Sequence, residues 1–503
     1  MNCKRTKKEN DMTSLNHSTL VKRVFLCVFF LFSGMSLSSA QSPVPDTARA
    51  ELVADGFSLS EGPCWHPDGY LLFSDVSRSR IHKWTESGGV ETFLSPSGQA
   101  NGIAADLYGR LLIAQHAARQ IGRIEPNLEI TPLATGYNGA LLHSPNDLVV
   151  KSDGAVFFTD PPWGGNPPQM NFHGVYRIPP GGGTVQLLLD NLSYPNGIAF
   201  SPDETRLYVN ETNNSFVHVY DVVDDSTLAN GRIFAVVNQH GNADQNGADG
   251  MKIDNDGNLW VTGSEGVAVF SPDGDLLDII NVPGSTTNLG WGGTDRLILF
   301  ITNFSGLYKV EMGPLVRPDA PENLQASETD GGIALTWQGS GESIRHVSVY
   351  RSTDGGDFEK ILATAYTRTI TDTDVLPASS YTYKVTVTDV MGFESDFSNE
   401  ADASVSAVGE TGNIIHGYRL QQNYPNPFNP STNIGYQLPG RSHVTIRIYD
   451  ITGREAGLLL DDFQPAGRHS ITFDAAGLPG GIYFYKLIIG GHLIDSKKML
   501  LIR

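Results

Sequence analysis

Cysteine is almost missing from this 503-residue chain, which has three in all, Cys3, Cys27 and Cys64. The first two fall in a leader expected to be removed, so no intrachain disulfide can support the fold and stability must come from packed cores. Charge is also sparse, 18% of residues, and acids outnumber bases 55 to 35 for a formal net charge of −20. No basic stripe interrupts that excess, which argues against nucleic acid as a partner. Long stretches of strong helix formers at a 3.6-residue spacing are hard to find, which argues against a helical architecture. The apolar run VFLCVFFLF from Val24 has nine residues, well short of the roughly 20 that a membrane span requires.

That run follows the basic pair Lys22-Arg23 and leads through small residues to SSA-QS. The order is that of a secretory signal peptide over residues 1–40, with cleavage after Ala40 and no transmembrane anchor. Cys27 sits inside the apolar run after Leu26, which disfavours a lipid-anchoring site. Removal of 1–40 takes away six basic and two acidic residues and moves the net charge from −20 to −24.

Glycine is plentiful, at 54 residues. Between 50 and 312 six strand-like runs recur roughly every 40–50 residues, the length of one four-stranded propeller blade. They are LLFSD, LLIAQ, VFFTD, LYVNE, LWVTG and LILFIT, from Leu71, Leu111, Val156, Leu207, Leu259 and Leu297. Each follows a turn rich in Gly, Asp, Asn or Pro: HPDGY, DLYGR, KSDGA, SPDET, DNDGN and GGTDR. The expectation is an all-β chain whose first folded part is a six-bladed β-propeller, with two small β-sandwiches after it at 318–406 and 418–503.

About ten residues before each run stands a shorter motif that aligns one polar residue per blade: Glu61, Asn101, Asn146, Asn196, Asp249 and Asn288. Innermost strands start near one mouth of the central channel, so residues in the same register converge on the axis. Two carboxylates and four amides offer oxygen and neither thiol nor imidazole, which suits a hard cation such as Ca²⁺ better than Zn²⁺. Asn and Asp also cap turns through their own backbone, and spacing alone does not separate the two uses. Glu61 favours ligation, because glutamate is a poor turn residue and an uncompensated carboxylate beside a channel is costly to keep.

SEGP at Ser60, SPNDLVVKSDGAVFFTDPPWG from Ser144, GVYRI at Gly174, YPNGIAFSPDETRLYV from Tyr194 and ADGMKIDNDGNLWV from Ala248 resemble the SMP-30/gluconolactonase/luciferin-regenerating-enzyme family. The resemblance implies a secreted lactonase or esterase with one divalent ion, Ca²⁺ ahead of Zn²⁺ or Mg²⁺, held by Glu61, Asn196 and Asp249. It places Asn146 against substrate and metal, with Asn101 as further polar lining. Asp249 and Asp147 are the candidate proton acceptors, Asp249 the better by resemblance. His116, at the end of the second blade's strand, is a proton shuttle or plain lining, and His143 is a weaker candidate. Trp163 and Trp291 either shape a pocket rim or pack blades together. No G-x-S-x-G elbow supports a serine triad. Many relatives carry basic residues just before the PND motif, where this chain has Leu141 and Leu142, which implies a less polar lactone or ester. The competing reading is a non-catalytic surface adhesin with a structural metal in its channel; a propeller condensation chemistry of the strictosidine synthase kind stands third.

Residues 318–406 hold IALTW with Trp337, VSVYR with Tyr350 and YTYKVTVTD with Tyr381, resembling a fibronectin type III module in which Trp337 and Tyr381 pack the core. Residues 418–503 resemble the type A C-terminal sorting domain of the type IX secretion system. The match is carried by Tyr424, Pro425, Asn426 and Pro427, then Gly453, Arg454, Gly481, Tyr483 and Lys497-Lys498. The resemblance implies the type IX machinery as a partner and a product released from, or attached to, the outer cell surface. Deleting 418–503 is expected to leave the protein in the periplasm in cell fractionation; normal release of the truncated chain would refute the assignment.

Overall fold

A computed structural model describes residues 42–502, apart from 166, 225, 238–246, 330–331, 340, 342, 376–378, 406–417, 439–441, 452, 466 and 490–491. The expected signal peptide, 1–40, lies outside the described residues. Six four-stranded antiparallel sheets follow one another as blades. Their innermost strands are Ser60–His66, Ala100–Ala105, Leu148–Val150, Pro195–Phe200, Met251–Ile253 and Thr286–Gly292. Each is a neighbour of the next, and the last lies beside the first, so the strands enclose an axis.

The recurrent apolar runs are the second strands of the blades, and the absence of alternation within them has a simple cause. A strand sends successive side chains to opposite faces, and here both faces meet another blade. Leu72 packs with Ile103 and Ile113 of the second blade, while its neighbours Leu71 and Phe73 pack with Phe300 and Leu307 of the sixth. Equivalent apolar cores fill the remaining blade junctions.

The ring closes with a strand from the other end of the domain. Glu51–Asp55 forms the outer edge of the sixth blade, antiparallel to Gly306–Pro314, with Glu51 opposite Lys309 and Asp55 opposite Gly306. This clasp joins the start of the propeller to its end, so that opening the ring requires breaking a sheet.

Two sandwiches follow. In the first, Glu322–Thr329, Gly332–Gln338 and Thr369–Asp372 face Glu359–Ala365, Ile344–Thr353, Ser380–Asp389 and Ala401–Ser404. Trp337 and Tyr381 are buried in the shared core with Leu335, Val347 and Val385, as packing residues should be. The second pairs Arg419–Leu420, Ser431–Leu438 and Gly467–Asp474 against Glu455–Gln464, Ser442–Asp450, Gly481–Ile489 and His492–Leu501. Its YPNP segment is laid along the last strand: Asn426 Oδ1 accepts from Leu500 N at 2.9 Å and Asn426 Nδ2 donates to Lys498 O at 3.4 Å. Asn426 and the Lys497-Lys498 pair, far apart in sequence, thereby share one surface, beside an exposed Tyr424. Among the described residues no helix is long and apolar enough to cross a membrane.

Candidate active site

Each of the six aligned polar residues stands at or just before the start of its innermost strand. Glu61, Asn101, Asn146, Asn196 and Asn288 are all at most 3% exposed, and Asp249 is partly exposed. A glycine follows four of them; Gly62 takes a left-handed backbone conformation, φ +54°, while Gly102, Gly197 and Gly250 serve close approach of the strands. A Cβ at Gly197 would stand 2.3 Å from Asp249 O, and one at Gly250 would stand 2.2 Å from the Asn288 amide. Side chains at these positions would push the inner strands apart. The third blade has Asp147 there instead and the sixth has Leu289.

A belt of small polar side chains on the second strands holds the ring in register. Ser74 Oγ donates to Asn101 O at 2.8 Å, Thr159 Oγ1 to Asn196 O at 2.7 Å and Thr262 Oγ1 to Thr287 O at 2.9 Å. Asn210 Nδ2 donates to Asp249 O. Thr287 Oγ1 completes the circuit by donating to Ser60 O at 2.6 Å. Each bond runs from one blade to the next, and only the second blade, with Ala114 at this place, lacks the donor. These residues are visible in the sequence as the polar letter after each apolar run (LLFS, VFFT, LYVN, LWVT), but sequence alone gave no reason to treat them as more than strand ends.

Within the ring, Asn196 Nδ2 donates to Asp249 Oδ1 at 2.6 Å, and Asn288 Nδ2 to Glu61 Oε2 at 3.0 Å; Glu61 Oε2 also accepts from Gly62 N at 2.9 Å. Among the described residues neither Glu61 nor Asp249 has an ion-pair partner. Burial pushes the Glu61 carboxyl up to about 7, with the Asp147 charge adding to the rise and the Asn288 and Gly62 hydrogen bonds opposing it. Burial likewise holds Asp249 well above the usual carboxylate range, reinforced by Glu61 and Asp147. Three carboxylates thus feel one another, and the one cation whose charge reaches Glu61, Lys252, forms no ion pair with it.

The amides leave oxygen to spare. Asn101 Oδ1, Asn146 Oδ1, Asn196 Oδ1 and Asp147 Oδ2 are buried without a hydrogen-bond partner, a costly condition for polar atoms. Orphaned oxygens beside uncompensated carboxylates are what a hard divalent cation would satisfy, so the residues fit a metal. Among the described residues no group of three His, Cys, Asp or Glu could hold one, so this ring would depend on amide oxygen.

His116 reaches the ring: its Nε2 lies 3.1 Å from Asn101 Nδ2. Burial lowers it to about 4, leaving it neutral at ordinary pH. Asp160 Oδ1 and Oδ2 accept from Ser144 N at 2.7 Å and His143 N at 2.8 Å, fixing the loop that leads into Asn146. Trp163 stacks on Tyr194 at 5.8 Å and is 37% exposed, a rim position. Trp291 packs edge-on against Trp260 and donates to Ile253 O, so it belongs to the blades.

Of the two leucines expected to make the substrate end less polar, Leu141 is 44% exposed, whereas the part assigned to Leu142 needs correction. Leu142 is fully buried in the core between the second and third blades, with Leu107, Leu112 and Leu148. It therefore cannot form an apolar wall over the ring. Its carbonyl instead accepts from Arg119 Nε, which places a buried guanidinium next to the loop before Asn146. A basic group is present after all, contributed by the second blade and 22 residues or more from where the motif would have it.

Residues 59–305 match the SMP-30/gluconolactonase/LRE-like region, and 422–502 match the secretion system C-terminal sorting domain. A gluconolactonase of Zymomonas mobilis is 34% identical over 286 residues, spanning 52% of this chain and 80% of the relative. A pentonolactonase of Haloferax volcanii is 27% identical, spanning 49% and 82%. The solved structure of a gluconolactonase from Xanthomonas campestris superposes with a TM-score of 0.50 at 35% identity, covering 54% of this chain and 91% of that one. The chain belongs to the SMP-30/gluconolactonase family, and it carries a C-terminal sorting domain that directs it to the cell surface or beyond.

The buried carboxylates set a sign for pH dependence. In metal-free protein the folded state holds protons that the unfolded chain has already lost above about 4.5, so this contribution to stability is complete below that pH and disappears as pH rises through about 7. The unfolding midpoint of chelated wild-type protein, relative to Glu61→Gln, should therefore fall between pH 5 and pH 8. A difference that is flat or rises over that range would contradict the assignment.

Proposed function

We propose that the chain is a secreted lactonase that opens a small sugar-derived lactone by adding water to its carbonyl, with one divalent cation, Ca²⁺ first, held by Glu61, Asn196 and Asp249. The observation that carries this reading is the set of buried, unpartnered oxygens beside two carboxylates that form no ion pair among the described residues. Its support comes from relatives named as gluconolactonase and pentonolactonase, each about four-fifths covered by this chain.

When bound, the cation would polarise the lactone carbonyl and stabilise the oxyanion that forms on it. The residues of the chain supply the rest. Asn146 and Asp147, adjacent at the start of the third blade, and Asn101 beside them orient the substrate's carbonyl and hydroxyl groups. Asp249 has one oxygen bound by Asn196 and uses the other to take a proton from the attacking water. The C–O bond of the lactone ring then breaks, and the same proton returns to the departing alkoxide, giving a hydroxy acid. His116, neutral and fixed on Asn101, shapes the wall and keeps water ordered there. Arg119 adds a positive charge on the side where the carboxylate product forms.

The middle sandwich, read as a fibronectin type III module, has no part in this chemistry. Hydrolysis of glucono-1,5-lactone and of a pentonolactone, followed as acid release in a pH-stat, should be abolished by chelator and restored by Ca²⁺. Asp249→Asn should reduce kcat by about 10²–10⁴-fold, the usual value of a general base, while His116→Gln should cost far less. Turnover that survives both chelation and Asp249→Asn would sink the proposal.

A further inference from the structure

A cavity lies beyond the ring along the channel axis. It has a volume of about 440 Å³ and sits where the innermost strands end, lined by Trp65, Phe200, Ile253 and Trp291 of the propeller. Its lining starts one or two residues past the ring, at Pro63, Ile103, Leu148 and Ile198, and runs on to Trp65, roughly 13 Å beyond Glu61 along the strand. Its far wall belongs to the middle sandwich, through Met391 and Phe393.

That sandwich is fastened to the propeller at this end. Ser343 Oγ donates to Asn255 O at 2.5 Å, Asn255 Nδ2 to Asp389 Oδ2 at 2.8 Å and Arg317 to Glu394 O at 2.9 Å. Phe393 joins the core between the fifth and sixth blades, and Ala363 joins the one between the second and third. The module thus closes the channel's second mouth and leaves a chamber beneath it.

The chamber's charge is lopsided. Of its carboxylates, Glu204 is occupied by Ser152 and Lys151, Glu394 by Tyr350 and Thr386, and Asp106 by Arg110. Of its cations, Lys252, Lys360 and Arg317 have no carboxylate within ion-pair distance among the described residues, and Arg345 stands 4.0 Å from Glu204. Lys252 Nζ donates only to the neighbouring Met251 O, at 3.1 Å. His346 Nδ1, also on this wall, is buried without a partner.

We propose that this chamber is a second binding site, separate from the ring, for an amphipathic organic anion: an apolar or aromatic body against Trp65, Trp291 and Phe393, with a carboxylate or sulfonate drawn to Lys252 and Arg345. The volume is within the range of small-molecule sites, roughly 300–1,000 Å³, and such sites favour apolar walls with a few converging polar groups. The surplus of cations excludes a cationic ligand and favours an acid over an alcohol of the same shape. The site does not depend on the lactonase reading: none of the ring residues lines it, although the Lys252 charge reaches Glu61.

The test uses the full mature chain in excess chelator, which silences the ring, and 8-anilinonaphthalene-1-sulfonate as a fluorescent aromatic anion. One saturable site per chain is expected. Decanoate should displace the dye at a concentration at least tenfold below that needed for decanol, and Lys252→Met should weaken decanoate at least fivefold while leaving decanol unchanged. Ala104→Trp, which fills the chamber from the second blade, should abolish saturable binding; if that variant does not fold, Lys360→Gln on the sandwich side should still reduce the preference for decanoate. Absence of saturable binding, equal displacement by decanol, or binding indifferent to Lys252→Met would overturn the proposal.

Discussion

The cost of keeping charge out of water at the propeller axis is the constraint around which the rest of this structure is arranged. Glu61 and Asp249 stand in the ring, repel each other and Asp147, and have no ion-pair partner among the described residues; the Lys252 charge offsets only a small part of the cost at Glu61. Hydrogen bonds from Asn288, Gly62 and Asn196 soften that cost without removing it, since a neutral donor cannot replace a counterion. A site of this kind stays folded because six packed blades hold it, and the proposed cation would relieve its cost.

The scaffold's part is to make six short strands meet without collapsing onto one another. Glycines after the ring residues let inner strands come within contact distance, and the Ser/Thr/Asn belt ties every blade except the second to the next at the height of the ring. The clasp of Glu51–Asp55 on the sixth blade closes the circle. Because the belt bonds run between blades, the positions of Glu61, Asn196 and Asp249 depend on the closure of the whole ring and not on any one sheet. That dependence links the outer edge of the propeller to the chemistry at its centre.

Much of this could be seen in the sequence, because a repeated blade writes its own alignment: six apolar runs gave six second strands, and the motif ahead of each gave the ring. What stayed hidden has physical causes. The clasp strand has no repeat partner and reads as an ordinary exposed strand. The contribution of Arg119 was invisible because it comes from a neighbouring blade, and Leu142 misled because a buried core position and a pocket wall use the same residue type. The rear chamber was beyond reach for a different reason: it is built by two domains, and no local pattern announces where one domain will rest on another. The expected roles of Trp337 and Tyr381 as core residues, by contrast, came from the resemblance to a fibronectin type III module, and both are buried in the sandwich core.

Calcium titration calorimetry on the chelated and dialysed mature protein tests the central claim most directly, because it counts ions at the ring without needing a substrate. One Ca²⁺ per chain is expected, with proton release near pH 7 as the raised carboxyls ionise, and with both signals lost in Glu61→Gln. No binding, or binding that is unchanged in Glu61→Gln, would contradict a metal held at the axis.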